Sequence, residues 1–539
     1  MVMNSSFTRR ENFELNLSFF HYKVQLSREA LKFSRQWNEP WILNRAQTMH
    51  ESAKKLPAPG MWRFPTNPDL CCIYRVPNCL RQVSPEAYTP QLVLIGPLHR
   101  SLISQALKSR GDITNTKLMG YLNMEGHKKV YLMEFARRVE GKKAVIDGFR
   151  KIIEEDEDLI RASYSESTAW IPSPEFVDMI LHDSVFILEL FLRFYVKGPE
   201  KIGDPLMDEP CLVHTVTGDL ILLENQLPYF ILEKLFDQIV SILSPHQTFR
   251  ELTIIHFRVQ DKIGNNSKFR HFTDMARCVR VETVPEHGYG IFRPMYEMYN
   301  ADKLDNGGVK FEAVEDELSV EVKFTNGVLH IPCFLADDDA EMILRNIMAL
   351  EQCHYPFNAH VCNYVMFLDF LIDTEKDVDL LVQKGIINNW LGQHRAVAKM
   401  VNKLCLGVMQ DGSYYSDIAT EVVEHYNNKC NKSHAILRRV YCSDLWTGTA
   451  TAAATCLLLM TLVQTEGSSE SFESLNYRIL ASSYEYMAAK VKVNLLLKES
   501  IHRFANIMVA KKLVTVAVPL VKKCILGRRN ALSEEMLCP

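Results

Sequence analysis

Residues 173–198 read "SPEFVDMILHDSVFILELFLRFYVKG", and this stretch decides the fold class. Ser173 offers an N-cap oxygen, Pro174 suits a first helical position, and Glu175 faces the positive end of the helix. Apolar residues then fall on nearly every face as far as Gly198, which is the pattern of a helix buried all round rather than laid on a surface. The chain therefore reads as dominated by α structure.

Downstream, Asp204 to Pro210 reads as a loop. The segment "LILLENQLPYFILEKLFDQIV" (220–240) reads as a second core helix, interrupted near Pro228 because proline lacks an N–H and disturbs the preceding turn. Strand patterning is clear once. "SVEVKF" (Ser319–Phe324) alternates, Thr325-Asn326-Gly327 supplies a turn, and "VLHIPCF" (Val328–Phe334) returns. "VLIG" (Val93–Gly96) is a candidate short strand. From Asp337 the pattern is helical again, with a capping box at Thr374–Asp377 ahead of "VDLLVQKGII". The expected fold is mainly α with a small β-hairpin insert.

The 539 residues, 47% hydrophobic and 23% charged, allow a sizeable core and argue against global disorder. A net charge of −4 is too small to mark the whole molecule as a nucleic-acid binder. The first thirty residues show no apolar block behind a basic start, so a secretory signal is not expected. The 14 cysteines are scattered, and Cys362, Cys405 and Cys456 sit in apolar runs, which suggests free thiols in a reducing compartment. The run "EEDED" (Glu154–Asp158) reads as a solvated face.

Residues 1–70 read as an extension ending in a Pro-rich linker, and 71–444 as an α-rich body. Residues 445–465 contain no charge and have about the length that crosses a bilayer, yet half of them are Thr, Ala and Gly. They read equally as a transmembrane helix or a buried one. In the helical tail 466–539, the stretch from Arg478 to Asn530 carries 11 Lys/Arg against two acidic residues. Such a basic, apolar segment suits an anionic membrane surface or ordinary docking with lysine stems laid along apolar ground.

The chemistry is less legible. There is no Gly-rich phosphate loop, Ser elbow or HExxH. Cys353, His354, His360 and Cys362 fit no common zinc spacing, so neither metal nor cofactor is expected. Asp178 and His182 are four apart and could face one another as acid and base, though a buried structural pair is the plainer reading. A polar cluster embedded among apolar residues is the main candidate site: Asp183, the triplet Glu224-Asn225-Gln226, and Glu351. Such side chains are costly to bury unless hydrogen-bonded, so they are either a catalytic centre or a brace, with the brace favoured.

The chain resembles the plant domain-of-unknown-function 247 family. The resemblance rests on "IYRVPNCLRQVSPEAYTPQLVLIGPLHR" (Ile73–Arg100), "EFVDMILHDSVFILEL" (Glu175–Leu190), "LLENQLPYFIL" (Leu222–Leu232), "LHIPCFLADDDAEMILRNIMALEQC" (Leu329–Cys353), "YVMFLDFLIDTEKDVDLLVQKGII" (Tyr364–Ile387) and "TATAAATCLLLMTLVQT" (Thr449–Thr465). It implies a plant protein with a cytosolic helical body and a C-terminal membrane anchor, and no catalytic residues to carry over. Some grass members are associated with pollen self-incompatibility, which implies recognition rather than metabolism. The expected function is a membrane-associated, non-enzymatic interaction or signalling protein with an unidentified protein partner. The alternatives are a hydrolase built on Asp183, Glu224 and Glu351, or a soluble protein whose basic tail binds anionic lipid or nucleic acid.

Overall fold

The computed structural model describes residues 67–428, apart from breaks at 110–114, 140–142, 197, 199–200, 241–247, 260–262, 265–266, 285–292, 296, 316–317 and 410–411, together with residues 60, 61, 454, 457 and 458. Nearly all of these residues belong to the first of two units, Met1–Ile436.

The stretch quoted above is a single helix, Ser173–Val196, here called α4. It begins at Ser173 itself, whose hydroxyl donates to Glu157 Oε2 at 2.5 Å rather than capping the helix. Fifteen of its 24 residues are buried, on all faces, as its sequence requires. Among the helices that pack against it are α2 (Thr116–Arg138), α3 (Lys143–Glu155), α6 (Tyr229–Asp237) and α7 (Phe249–His256). Helix α1 (Arg100–Lys108) lies on α2. Phe191 of α4 stacks on His256 at 4.2 Å, and Phe249 and Phe272 complete an aromatic core between α4 and α7.

The chain after α4 departs from the expected course. Asp204 to Pro210 is not a plain loop: Asp204 accepts the Leu206 N–H at 3.0 Å and caps a four-residue helix, Pro205–Asp208. The expected helix through 220–240 does not run through either. Helix α5 (Pro210–Asp219) stops, residues 220–228 are irregular, and α6 starts only after Pro228. Proline forbids a helical donor at 228, and the amide side chains of Asn225 and Gln226 take up the freed carbonyls.

The second half of the body gathers α8 (Phe272–Val281), α9 (Ala340–His354), α10 (His360–Leu371), α11 (Glu375–Gln383), α12 (His394–Leu404) and α13 (Ser416–Asn427). The capping box is present, with Asp377 accepting the Thr374 N–H at 2.8 Å. The hairpin is also present, but β2 is only Lys323–Thr325, and β3 is Val328–Pro332. Asn326 and Gly327 both take positive φ, 53° and 78°, as a two-residue primed turn demands. Strand β1 (Lys310–Val314) adds in parallel to β3, giving the order β1-β3-β2. A two-stranded parallel pair joins β4 (Phe334–Ala336) to β5 (Ile387–Asn389). The β content is thus larger than one hairpin, while the body remains mainly helical.

Residues 93–96 are not a strand. Among the described residues no helix is long and apolar enough to cross a membrane. The expectation for 445–465 falls, apart from Ala454, Leu457 and Leu458, outside the described residues, as do those for the tail 466–539 and for most of the extension 1–70.

Candidate functional site

The strap from Gln91 to His99 runs through the core with almost no regular structure of its own. Pro90, Gly96 and Pro97 deny it a ladder, so its backbone groups must find other partners or be stranded. Buried side chains supply them. The Asp219 carboxylate, at the end of α5, accepts the N–H groups of Gln91, Leu92 and Val93 at 2.7, 2.7 and 2.8 Å. Asn225 accepts the Ile95 N–H at 2.7 Å and donates to Val93 C=O at 3.0 Å. Asp183 of α4 accepts the Gly96 N–H at 2.8 Å. Lys128 of α2 donates to Leu94 C=O at 2.5 Å, and Arg75 donates to Leu98 C=O at 3.1 Å. Gly96 has φ +69°, and a Cβ there would lie 2.6 Å from the Gln226 carbonyl oxygen, so the strap passes where only glycine fits.

The triplet Glu224-Asn225-Gln226 braces three different elements. Asn225 also donates to Asp219 C=O at 2.9 Å, closing the end of α5. Gln226 donates to Leu220 and Leu222 C=O at 2.6 and 2.8 Å, and its oxygen accepts the Phe272 N–H at 3.0 Å, the first amide of α8. Glu224 accepts the Val76 N–H at 2.7 Å and binds Arg75 at 3.1 Å and Arg81. Arg75 in turn forks onto Glu166, at 2.7 and 2.6 Å. His99 Nε2 lies 3.6 Å from Glu224, beyond hydrogen-bond range. Burial, with Arg75 and Arg81 beside it, pushes the His99 pKa down to about 3, so the ring is neutral. Burial raises Asp219 to about 6 despite its three amide donors.

Asp183 closes the group. Its other oxygen accepts from Lys128 at 2.7 Å, and Lys128 also donates to Glu125 at 2.5 Å. Burial opposes the charge on Lys128, but Asp183 and Glu125 outweigh it and push its pKa up. The three hydrogens of this ammonium are thereby matched to three acceptors.

Of the five sequence-predicted residues, Asp183, Glu224, Asn225 and Gln226 therefore meet around the strap or its flanks, while Glu351 serves elsewhere. Its carboxylate accepts the Val361 and Cys362 N–H groups at 3.1 and 2.8 Å, the open amides at the start of α10, and the Arg277 Nε–H at 2.9 Å. Arg277 lies 3.9 Å over the Tyr355 ring and donates to Asn358 C=O at 2.6 Å. Nearby, Arg270 can only donate to His354 Nε2, at 2.5 Å, so neutral His354 carries its proton on Nδ1 and donates to Tyr74 Oη at 2.9 Å. Tyr74 then donates to Cys71 C=O at 3.0 Å.

The other candidates separate. Asp178 is exposed and pairs with Arg150 at 2.6 Å, while His182 Nδ1 bonds the Asp178 backbone carbonyl at 2.7 Å, so they form neither an acid–base pair nor a buried one. Among the described residues no group of three or more His, Cys, Asp or Glu is placed to hold a metal. Among the described residues no cysteine forms a disulfide. Arg75, Glu166, Lys128, Asp219 and Arg277 were not anticipated. Arg75 and Lys128 look like ordinary surface cations in sequence, and only the distance they span in the chain, 149 residues from Arg75 to Glu224 and 55 from Lys128 to Asp183, makes them core partners.

Fold and site together define a helical protein whose buried polar residues hold irregular backbone in place. The chain belongs to the domain-of-unknown-function 247 family, described as "plant protein of unknown function", whose model matches residues 73–460. It is similar to the UPF0481 protein At3g47200 of Arabidopsis thaliana, 26% identical over 429 residues, which cover 73% of this chain and 85% of that protein. It is also similar to the putative UPF0481 protein At3g02645 of Arabidopsis thaliana, 26% identical over 164 residues, covering 30% of this chain and 31% of that one. No solved structure matches.

Proposed function

We propose that this chain is a non-catalytic interaction protein, held at a membrane through residues 445–465 with its helical body on the cytoplasmic side. The carrying observation is how the candidate carboxylates are engaged. Asp183, Glu224 and Glu351 each accept at least one backbone N–H and bind at least one cation, so each is coordinated as a structural anion. A general acid or base needs its carboxyl free to exchange a proton with a substrate. The hydrolase alternative requires the three to converge on one open cleft. Asp183 lines such a cleft, of about 770 Å³, but Glu224 and Glu351 are not among its walls. The membrane half of the proposal rests on the charge-free stretch 445–465 and the arginines before it, Arg438 and Arg439.

Alkaline carbonate extraction tests the attachment. The full chain should stay with the membrane pellet and a chain lacking 445–465 should be released; full release of the intact chain would sink an integral anchor. Retention that instead disappears with 478–539, in a salt-dependent way, would favour the basic tail as the attachment.

A further inference from the structure

The cleft that Asp183 borders is a built site with a definite chemistry. Its volume of about 770 Å³ lies in the range of small-molecule pockets. Helices α1, α2 and α4 and the strap enclose it, with apolar walls from Ile103, Leu107, Met119, Leu122 and Met179.

The polar groups facing this space differ in what they have left to offer. Lys128 has no spare hydrogen, since Leu94 C=O, Glu125 and Asp183 take all three. Arg100 is held by Glu175 at 2.9 Å, and Asp178 by Arg150 at 2.6 Å. Lys129 stands exposed at the rim. Several acceptors remain among the described residues: Glu175 holds Arg100 through Oε1 only and Asp178 holds Arg150 through Oδ1 only, which leaves Glu175 Oε2 and Asp178 Oδ2 open, and Glu125 and His182 add to them. Glu125 binds Lys128 through Oε1 only, which leaves Oε2 open among the described residues. His182 donates its Nδ1–H to the Asp178 carbonyl, so in the neutral ring the lone pair lies on Nε2. The acids Glu125, Glu175, Asp178 and Asp183 are balanced by Arg100, Lys128 and Lys129 of the lining and by Arg150, which pairs with Asp178 from beside it.

A pocket whose open groups are mostly acceptors, set among apolar, methionine-containing walls, suits a donor-bearing cation with an apolar body. We propose that the cleft between α1, α2 and α4 binds an amphipathic organic ammonium ion, whose N–H groups reach Glu125 and His182 while its hydrocarbon part lies against Ile103, Met119 and Met179. This goes beyond the interaction role above and does not depend on it.

Hexylammonium, hexanol and hexanoate serve as probes of equal length and different head group, titrated into the full-length protein at pH 8 by calorimetry. Hexylammonium should bind saturably and raise the melting temperature, with hexanol and hexanoate at least tenfold weaker. Glu125→Gln should weaken hexylammonium at least tenfold. Because Glu125 also touches Lys128, Met119→Trp is the second variant, filling the cleft without touching a charge, and it should abolish binding. Equal binding of hexanoate, no saturable binding of hexylammonium, or unchanged binding in both folded variants would overturn the proposal.

Discussion

Replacing Asn225 probes the strap at its most economical point. The wild-type amide is fully buried and makes three hydrogen bonds, to Ile95 N–H, Val93 C=O and Asp219 C=O. Asn225→Ala leaves the first two groups without a partner inside the core, whereas Asp219 C=O keeps a long bond from the Leu222 N–H at 3.3 Å. A stranded buried polar group costs about 1–3 kcal/mol, so two of them should cost about 3–4 kcal/mol. Asn225→Asp is the sharper variant, because it keeps the acceptor for Ile95 and turns the donor against two carbonyls. At pH 8 it should lose at least as much stability as the alanine variant, and part of that loss should return at pH 5, where a protonated carboxyl can donate once. Urea unfolding followed by helical circular dichroism measures both, read from the midpoint at unchanged slope. A loss below about 1 kcal/mol in Asn225→Ala, or wild-type stability in Asn225→Asp, would refute the reasoning from stranded groups.

Acidification should destabilise the body. His99 and His256 are held neutral with pKa values near 3 against an ordinary 6.5, so their contribution is present above 6.5 and is lost as pH falls toward 3; at pH 5 each has lost about 2 kcal/mol. Asp219, raised to about 6 from 3.8, works the other way and returns about 1.4 kcal/mol between pH 8 and 5, while His354, lowered to about 4 by burial, adds to the loss, so paired urea titrations at the two pH values should show stability falling with pH. Gly96→Ala should cost more than about 2 kcal/mol, because it combines a left-handed φ with a Cβ 2.6 Å from a carbonyl oxygen, and a melting temperature within a degree of wild type would count against that packing. Lys128→Met and Asp183→Asn should each cost about 3–5 kcal/mol, with the double variant well short of their sum in a thermodynamic cycle.

Legibility in the sequence divides along the range of the interactions. Helix α4, the Asn326-Gly327 turn and the Thr374–Asp377 capping box were all readable because their causes lie within a few residues. Strand β1 was not read, although Val309 to Ala313 alternate, and only Phe311 of its five residues is buried. The two larger misses share one cause. Val93–Gly96 has strand-like composition and 220–228 has helix-like composition, yet each segment's backbone is satisfied by side chains, and for the strap those side chains come from Asp183, Asp219, Asn225 and Lys128, as far as 132 residues away. Local propensity carries no trace of such bonds. For the same reason Glu224-Asn225-Gln226 stood out as polar residues in an apolar wall, while their partners Arg75 and Asp219 did not. Glu351 was singled out on equal terms but caps α10 with Arg277, in a network of its own.

The central claim is that buried polar side chains, and no ladder or helix, hold the strap from Gln91 to His99. Native-state hydrogen exchange at the amides of Leu92, Val93, Ile95 and Gly96 addresses it directly. These amides should exchange as slowly as those in the middle of α4, although they lie outside any helix or strand, and Ile95 should lose that protection selectively in Asn225→Ala. Exchange at the rate of an open loop in the wild-type protein would contradict the account.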